Sequence, residues 1–282
     1  MIQTYDSAQQ VLDIVRTTLE KKEAENNLIL GLAETLIRNP RTYSKYDPVF
    51  ITFQIKNKIE IICLQTPPHN LIISCDNLPK DEAMGALCQF LYENNFHIPG
   101  IVGQKDIINF FKEKWGSYQD LSYRLTMNQM IYKLDKVNDV PLSNGKFRKA
   151  IYTDLEVVAK WVQEFRAQTF DAISLDKATE IASHKIREGT FYLWETDRPV
   201  SMAGWTRPTR KGITVSFVYT PYEERKKGYA TSCVAKLSEL LLRKYQFCTL
   251  FTDLSNPSSN KIYQEIGYQP IEEFMMYVFN EG

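Results

Sequence analysis

The segment from 218 to 231, VYTPYEERKKGYAT, carries the residue types best suited to holding a ligand. It follows a β-prone run and opens a helix whose apolar residues share one face. Gly228 and Ala230 are small, so the backbone there can approach a ligand with its N–H groups pointing outward. The helix N-terminus is positive, and three basic residues precede the glycine: Arg225, Lys226 and Lys227. This pattern fits a pyrophosphate cradle, and it equally fits a solvated basic turn before a surface helix.

A second informative run, from 250 to 268, combines a strand, a short helix and a closing Gly-Tyr pair. Asn256 can cap the helix, because Pro257 follows it in a first-turn position. Asn260 and Tyr263 are three residues apart and therefore share a helix face. The run thus predicts two polar side chains presented together just beyond a strand.

The two runs together resemble the GNAT N-acyltransferase superfamily. Arg225-x-x-Gly228-x-Ala230 is similar to its acyl-CoA pyrophosphate loop, and 250–268 is similar to its strand, Asn-bearing helix, Tyr and Gly-aromatic end. The resemblance covers roughly 147–279. In detail the chain resembles the predicted acetyltransferase subgroup that carries a degenerate GNAT-like domain in front.

That resemblance implies direct acyl transfer from acetyl-CoA, a co-substrate, to an amine, without a covalent enzyme intermediate. It assigns the phosphate cradle to Arg225, Lys226, Lys227, Gly228, Tyr229, Ala230 and Thr231. It assigns pantetheine pairing to the backbone of Phe217, Val218 and Tyr219, with the Val218 N–H as an oxyanion donor.

The second motif then supplies the remaining implied roles. Asn260 holds the pantetheine arm, and the Tyr263 hydroxyl protonates the departing thiolate. Asn256 either contacts the cofactor or only caps its helix, and the alternative for Tyr263 is a half-buried core tyrosine. Glu195, at the end of a strand and on the face of Phe191 and Leu193, is a candidate general base, although a surface glutamate at a strand end is the commoner case.

The hydrophobic periods place these residues in a repeated order of elements. The second half has strand-like runs at 147–151, 190–195, 199–206, 212–219, 247–253 and 268–279, and helical runs at 154–162, 174–188, 228–245 and 257–266. The first half has helical runs at 7–19, 27–38, 79–92 and 105–114, and strand-like runs at 49–55, 58–64, 71–75, 98–102 and 119–134.

Both halves share the order αα-βββ-α-β-α-β, which favours a structural duplication over two unrelated domains. A linker at 137–145 combines Pro, Gly and small polar residues. We therefore predict an α+β fold of tandem GNAT-like domains, 1–140 and 146–282. Each domain is a mixed, mostly antiparallel sheet flanked by helices, and the sheet of the second copy is split between its two central strands.

The first copy lacks the cradle. Its strand at 71–75 leads through DNLPKDE, which has one lysine, three acids and no glycine. Because those carboxylates would repel pyrophosphate, we expect this domain not to bind CoA. It is expected to wall part of the acceptor cleft, with one active site per chain.

Composition excludes several other classes of protein. Lys plus Arg and Asp plus Glu number 34 each, and this zero net charge disfavours general nucleic-acid or anionic-membrane binding. The 5 cysteines lack CxxC spacing, and no metal motif or Gly-x-Ser-x-Gly elbow is present. We expect a cytoplasmic monomer or homodimer without metal. Two alternatives stay open: an acyl-CoA-binding module without turnover, and a tandem GNAT transferase that uses another acyl or aminoacyl donor.

Overall fold

The computed structural model describes residues 1–119, 121–169 and 172–281. Two compact units emerge from its internal contacts. The N-terminal unit comprises Met1–Ile131, Thr252–Ser255 and Ile271–Gly282, and the C-terminal unit comprises Tyr132–Phe251 and Asn256–Pro270. The predicted boundaries, 1–140 and 146–282, remain a prediction about the duplicated copies.

The first half of the chain forms β1 (Ile2–Tyr5), α1 (Ala8–Leu19), α2 (Asn27–Arg38), β2 (Val49–Ile55), β3 (Lys58–Gln65), β4 (Leu71–Ser74), α3 (Asp81–Glu93), β5 (Gly100–Gln104), α4 (Lys105–Trp115) and β6 (Leu121–Leu134). The second half forms β7 (Lys146–Lys149), α5 (Leu155–Thr169), α6 (Leu175–Arg187), β8 (Phe191–Glu195), β9 (Pro199–Thr206), β10 (Gly212–Tyr219), α7 (Tyr229–Leu242), β11 (Phe247–Asp253), α8 (Pro257–Ile266) and β12 (Gln269–Glu281). Apart from β1, these elements follow the predicted order.

The N-terminal unit is a sheet in the order β1-β2-β3-β4-β5-β12-β6 with a hydrophobic cluster on each face. Strand alternation divides β3 between the two clusters: Ile62 and Leu64 pack with α1 and α2, whereas Ile61 and Cys63 pack with α3 and α4. Helix α1 begins where the Ser7 hydroxyl accepts the Gln10 N–H, so capping and amphipathicity fix the same start.

The last strand of the chain completes the sheet of the N-terminal unit. Strand β12 pairs antiparallel with β5, with Phe274 opposite Gln104 and Val278 opposite Gly100. An ion pair of 2.7 Å between Lys105 and Glu273 accompanies this pairing. The sequence predicted a strand here, but hydrophobic alternation does not say which strand lies beside it.

The C-terminal unit is a sheet in the order β11-β10-β9-β8-β7. Strand β9 is antiparallel to both β8 and β10, and β10 is parallel to β11. Helices α5 and α6 cover one face, where Val158 and Ala182 meet Leu193 and Met202. Helix α7 contacts strands β7 to β10. The predicted α+β class, with mixed sheets flanked by helices, is confirmed.

None of the helices described in the structure is long and apolar enough to cross a bilayer.

Candidate functional site

The two parallel strands of the C-terminal unit pair over only three residues and then separate. Gly212, Ile213 and Thr214 of β10 lie opposite Phe247, Cys248 and Thr249 of β11. The hydroxyls of Thr214 and Thr249 are 3.1 Å apart at the last pair. Both strands continue beyond this point, to Tyr219 and Asp253. The sheet therefore has the predicted split, which leaves one edge of the second half of β10 without a strand partner among the described residues.

A β-bulge lies on β10 at the mouth of the split. The register with β9 slips between Ser216, opposite Gly204, and Tyr219, opposite Met202. Phe217 has a φ of 52°, a left-handed conformation that is rare for a bulky residue. Its ring is held by those of Phe165 and Phe191 at centroid distances of 5.1 and 5.2 Å. A bulge turns backbone groups away from the regular ladder of strand hydrogen bonds. It therefore changes the direction of the peptide N–H and C=O groups of the predicted pantetheine-binding residues.

The loop after β10 ends in a left-handed glycine at the start of α7. One turn of 3-10 helix, Tyr222–Glu224, leads through Lys226 (φ 63°) to Gly228 (φ 77°), which is the N-cap residue. The first N–H groups of a helix have no partner within the helix. In α7 these belong to Tyr229, Ala230 and Thr231, all of which are half-buried. The loop therefore brings the predicted cradle residues together in the geometry of an anion site.

The basic side chains of the loop are not equally available to a phosphate. Glu224 is 7% exposed and pairs with both Lys227 and Arg198 at 2.8 Å. Hydrogen bonds from Lys227 and then Arg198 lower the pKa of Glu224. Arg225 donates from Nε to the Thr220 carbonyl and from Nη2 to Gln168, each at 3.1 Å. Arg225 thus stabilises the loop through these hydrogen bonds. Glu224 already neutralises part of the loop's positive charge, because it pairs with Lys227.

Ser143, in the predicted linker, supports the cradle from outside. Its hydroxyl donates to the Lys227 carbonyl at 2.7 Å, and its N–H donates to Ser232 Oγ at 2.8 Å. A Cβ at Gly228 would lie 2.6 Å from Ser143 Oγ. Position 228 therefore excludes a side chain both by its φ and by the space around it. The linker is part of the cradle's scaffold.

Both ends of α8 are capped by the predicted residues. Asn256 Oδ1 accepts the Ser259 N–H at 3.1 Å, which gives Asn256 the capping role. Gly267 has a φ of 113°, and the Tyr268 N–H bonds the Tyr263 carbonyl at 3.0 Å. The buried Tyr268 hydroxyl lies 2.9 Å from Ser238 Oγ on α7, which anchors α8.

Tyr263 is buried on α8, only 8% exposed. Its ring meets that of Tyr268 edge-on at 6.0 Å, and burial raises the pKa of its hydroxyl well above the ordinary range. No described residue hydrogen bonds that hydroxyl. Asn260, one turn earlier, has a buried side-chain oxygen. A tyrosine hydroxyl that stays protonated and has no described protein partner is available to donate a hydrogen bond to a ligand.

Glu195 lies in an ion-pair cluster. Arg148 contacts its carboxylate, Lys146 pairs with it at 2.8 Å, and Arg148 also holds Asp154 through two hydrogen bonds of 2.7 and 2.8 Å. Hydrogen bonds from Arg148 and then Lys146 lower the pKa of Glu195. Because a paired carboxylate with a lowered pKa is a weak base, this geometry disfavours the predicted catalytic role of Glu195.

We expect replacement of Arg148 by Met to reduce stability most at neutral pH. Burial acts to raise the pKa of Asp154, but the Arg148 and Ile151 hydrogen bonds outweigh it and lower the pKa. The stability gained is complete above the carboxyl's unfolded pKa, about 3.9, and is lost as the pH falls through the folded value. Arg148→Met should lower the free energy of unfolding by about 1–2 kcal/mol at pH 7.

Urea unfolding at about pH 7 and about pH 2.5 measures this effect. The gap between parent and variant should narrow in acid, and an equal gap at both values would contradict the pairing. Lys177→Met, in an exposed ion pair with Glu180, is the matched control and should change stability little.

Two residues near the bulge were missed by the sequence analysis. Glu164 on α5 accepts the Tyr219 hydroxyl at 2.7 Å. Ser216 has a buried hydroxyl without a hydrogen-bond partner among the described residues. No motif marks either residue, because their placement depends on how α5 and the bulged strand pack.

The parallel strands of the N-terminal unit, β4 and β5, do not continue far past their pairing as β10 and β11 do. Strands β4 and β5 pair in parallel from Leu71 and Ile101 onward, but β4 ends at Ser74, one residue after the last pair. The Ser74 hydroxyl donates to Asn26 Oδ1 at 2.7 Å, and Lys22 Nζ donates to the Asp76 carbonyl at 2.8 Å. Helix α3 starts with Asp81 and Glu82 in its first turn. Among the described residues of this unit, β4 therefore ends one residue past its pairing with β5, and two carboxylates stand at the start of α3.

No group of three or more His, Cys, Asp or Glu residues within the described ranges is arranged to hold a metal ion. The five cysteines are buried thiols, and burial raises the pKa of Cys233, so it is not an activated nucleophile.

Comparison with known proteins places this geometry in a known fold. Residues 193–277 match the family model described as FR47-like protein. None of the curated proteins is a significant match. A solved acetyltransferase from the GNAT family of Colwellia psychrerythraea is similar at 12% identity and a TM-score of 0.60, covering 99% of this chain and 100% of that one. A tandem GNAT protein from the clavulanic acid biosynthesis pathway is similar at 10% identity and a TM-score of 0.56, covering 98% of both chains.

The chain has the tandem GNAT fold. A Drosophila protein is similar to it at 14% identity and a TM-score of 0.66, covering 98% of both chains. The FR47-like match begins in β8 and ends in β12, so it includes the split, the bulge, the cradle and α8. Both sequence motifs that resemble the GNAT superfamily lie within the FR47-like match, and the fold is that of the solved GNAT proteins.

Proposed function

We propose that the protein is an N-acetyltransferase that moves an acetyl group directly from acetyl-CoA to a primary amine. The observation that carries this proposal is the bulge at Phe217, placed where β10 leaves β11 and followed by the Gly228 cradle. A split sheet alone is a fold feature. A split that combines strained backbone with an anion site is suited to a long, phosphorylated thioester.

Each part of the proposed donor then has a partner on the chain. The N–H groups at Gly228 to Thr231 hold the pyrophosphate, and the free edge of β10 at Phe217, Val218 and Tyr219 pairs with pantetheine. The Val218 N–H polarises the thioester carbonyl, so charge that develops on the oxygen meets a fixed donor. The Asn260 side chain supports the pantetheine arm, while Asn256 acts through its cap.

The reaction proceeds by direct attack of the amine nitrogen on the thioester carbon. The carbon–nitrogen bond forms, and the carbon–sulfur bond then breaks. The Tyr263 hydroxyl gives its proton to the leaving thiolate. The proton that the nitrogen loses passes to solvent, from which the Tyr263 phenolate is reprotonated, so amine and acetyl-CoA give amide and the free CoA thiol. With β4 ending early and acids at the start of α3, the N-terminal unit supplies no second donor site.

Incubation with acetyl-CoA and a set of primary amines, followed by detection of free thiol and of acetylated product, tests this function. The parent should release CoA only when an amine is present. Acetyl-CoA binding without turnover would favour the alternative of a sensing module. Turnover only with longer acyl-CoA or with an aminoacyl carrier would favour a different donor.

A further inference from the structure

A carboxylate and a tyrosine meet on the sheet face opposite the cradle helix. Tyr219 is the last residue of β10, and its hydroxyl donates to Glu164 Oε2 on α5 at 2.7 Å. Tyr219 packs within the cluster formed by α5, α6 and the strands, together with Phe217 and Phe191. The pair is therefore two residues beyond the bulge and on the side of α5 and α6.

Glu164 is half-buried, yet no described residue forms an ion pair with it. Its neighbours one turn away on α5 are Trp161, buried against the Tyr219 ring at 6.3 Å, and Gln168, which binds Arg225. The other carboxylate oxygen, Oε1, has no hydrogen-bond partner in the described part of the chain. A half-buried carboxylate oxygen without a hydrogen-bond donor favours a ligand that brings N–H donors, and a protonated amine brings both donors and a positive charge.

Tyr219 keeps the carboxylate in this arrangement. Burial and then the Glu164 hydrogen bond raise the pKa of Tyr219 to about 12. The hydroxyl therefore remains a donor at physiological pH and occupies Oε2. Glu164 keeps Oε1 for another donor.

The direction of attack points to the same pair. If acetyl-CoA binds as proposed, its phosphates lie at the N-terminus of α7, on the other face of the sheet from α5 and α6. An amine that attacks the thioester carbon must approach from a side that the donor does not fill. The Tyr219–Glu164 pair lies next to the bulge, on the side of α5 and α6, and can therefore meet an amine that approaches from that side.

We propose that Glu164 binds the protonated primary amine of the acceptor, an alkylammonium group, and accepts one of its protons. This inference rests on the proposed acetyltransferase function. The N–H proton moves to a Glu164 oxygen, and the freed lone pair attacks the thioester carbon. The carbon–sulfur bond then breaks, Tyr263 gives a proton to the thiolate, and the nitrogen's second proton passes through solvent to the Tyr263 phenolate. Glu164 later releases its proton to solvent. Tyr219 is a positioning residue for Glu164.

Kinetics of Glu164→Gln with full-length protein test the proposal. The probes are n-butylamine, putrescine, glycinamide and lysine, each with acetyl-CoA, and CoA release is followed by thiol titration. For the amine that the parent uses best, kcat/KM should fall at least about 100-fold in Glu164→Gln. For Tyr219→Phe, kcat/KM should fall about 10-fold, mainly because KM for the amine rises. The dissociation constant for acetyl-CoA, measured by calorimetry, should change less than about two-fold in Glu164→Gln.

Glu156→Gln, an exposed glutamate on the same helix, is the matched control and should behave as the parent. Retention of parent-like amine kinetics by Glu164→Gln would overturn the role of Glu164. If the parent bound acetyl-CoA but used none of the cationic amines, the alkylammonium class would be wrong while the donor site stood. Failure of the folded parent to bind acetyl-CoA would instead refute the proposed function, and this inference with it.

Discussion

Replacement of Gly228 by Glu should weaken acetyl-CoA binding at least about 100-fold, which is a loss of about 2.7 kcal/mol. Three effects act in the same direction. A side chain at φ 77° is strained, its Cβ would lie 2.6 Å from Ser143 Oγ, and its carboxylate would repel phosphate at the N-terminus of α7. Calorimetric titration of parent and variant measures the loss.

Gly228→Ala separates the steric effect from the charge effect and should lose about 10-fold. Gly85→Ala on α3 is the control for an added methyl group, because a Cβ there meets nothing within 4 Å. Circular dichroism must show that each variant is folded. Acetyl-CoA affinity in Gly228→Glu equal to that of the parent would place the phosphates elsewhere.

Replacement of Tyr263 by Phe should lower kcat about 100-fold while acetyl-CoA affinity stays within about three-fold of the parent. The hydroxyl is proposed to act only as the thiolate leaves, so its loss affects the transition state more than the bound donor. Steady-state kinetics with a used amine, beside calorimetric titration with acetyl-CoA, measure both quantities.

Tyr268→Phe is the matched control, because it removes another buried tyrosine hydroxyl just beyond the C-terminal end of α8. That hydroxyl bonds Ser238, so the control should cost stability and leave kcat within about three-fold. Equal effects of the two substitutions on kcat would show that Tyr263 is only part of the core.

Local sequence signals predicted most of the elements that surround the site. Strands β10 and β11 and helix α8 have the predicted bounds, because alternation, the Asn256-Pro257 start and the Gly267 end act within a few residues. Strand β1 was not predicted. Its four residues, Ile2–Tyr5, show no strong alternation, and antiparallel pairing with β2 makes them a strand.

The remaining features depend on contacts between residues far apart in sequence. Aromatic rings from α5 and β8 hold Phe217 at its positive φ. The bulge therefore does not depend on a turn-forming residue that the sequence could show. The pairing of β12 with β5 joins segments that are far apart in the sequence. Glu195 had the right residue type at a strand end, but its ion pairs with Arg148 and Lys146 come from β7. Glu164 became a candidate only through its contact with Tyr219.

We expect a single acyl-CoA molecule to bind in the split of the C-terminal unit. A crystal structure of the full-length protein with acetyl-CoA tests it most directly. We expect pantetheine along the free edge of β10, the thioester oxygen within hydrogen-bond distance of the Val218 N–H, and the pyrophosphate on the N–H groups of Gly228 to Thr231. Acetyl-CoA bound in the N-terminal unit, or on the C-terminal unit away from the bulge, would contradict it.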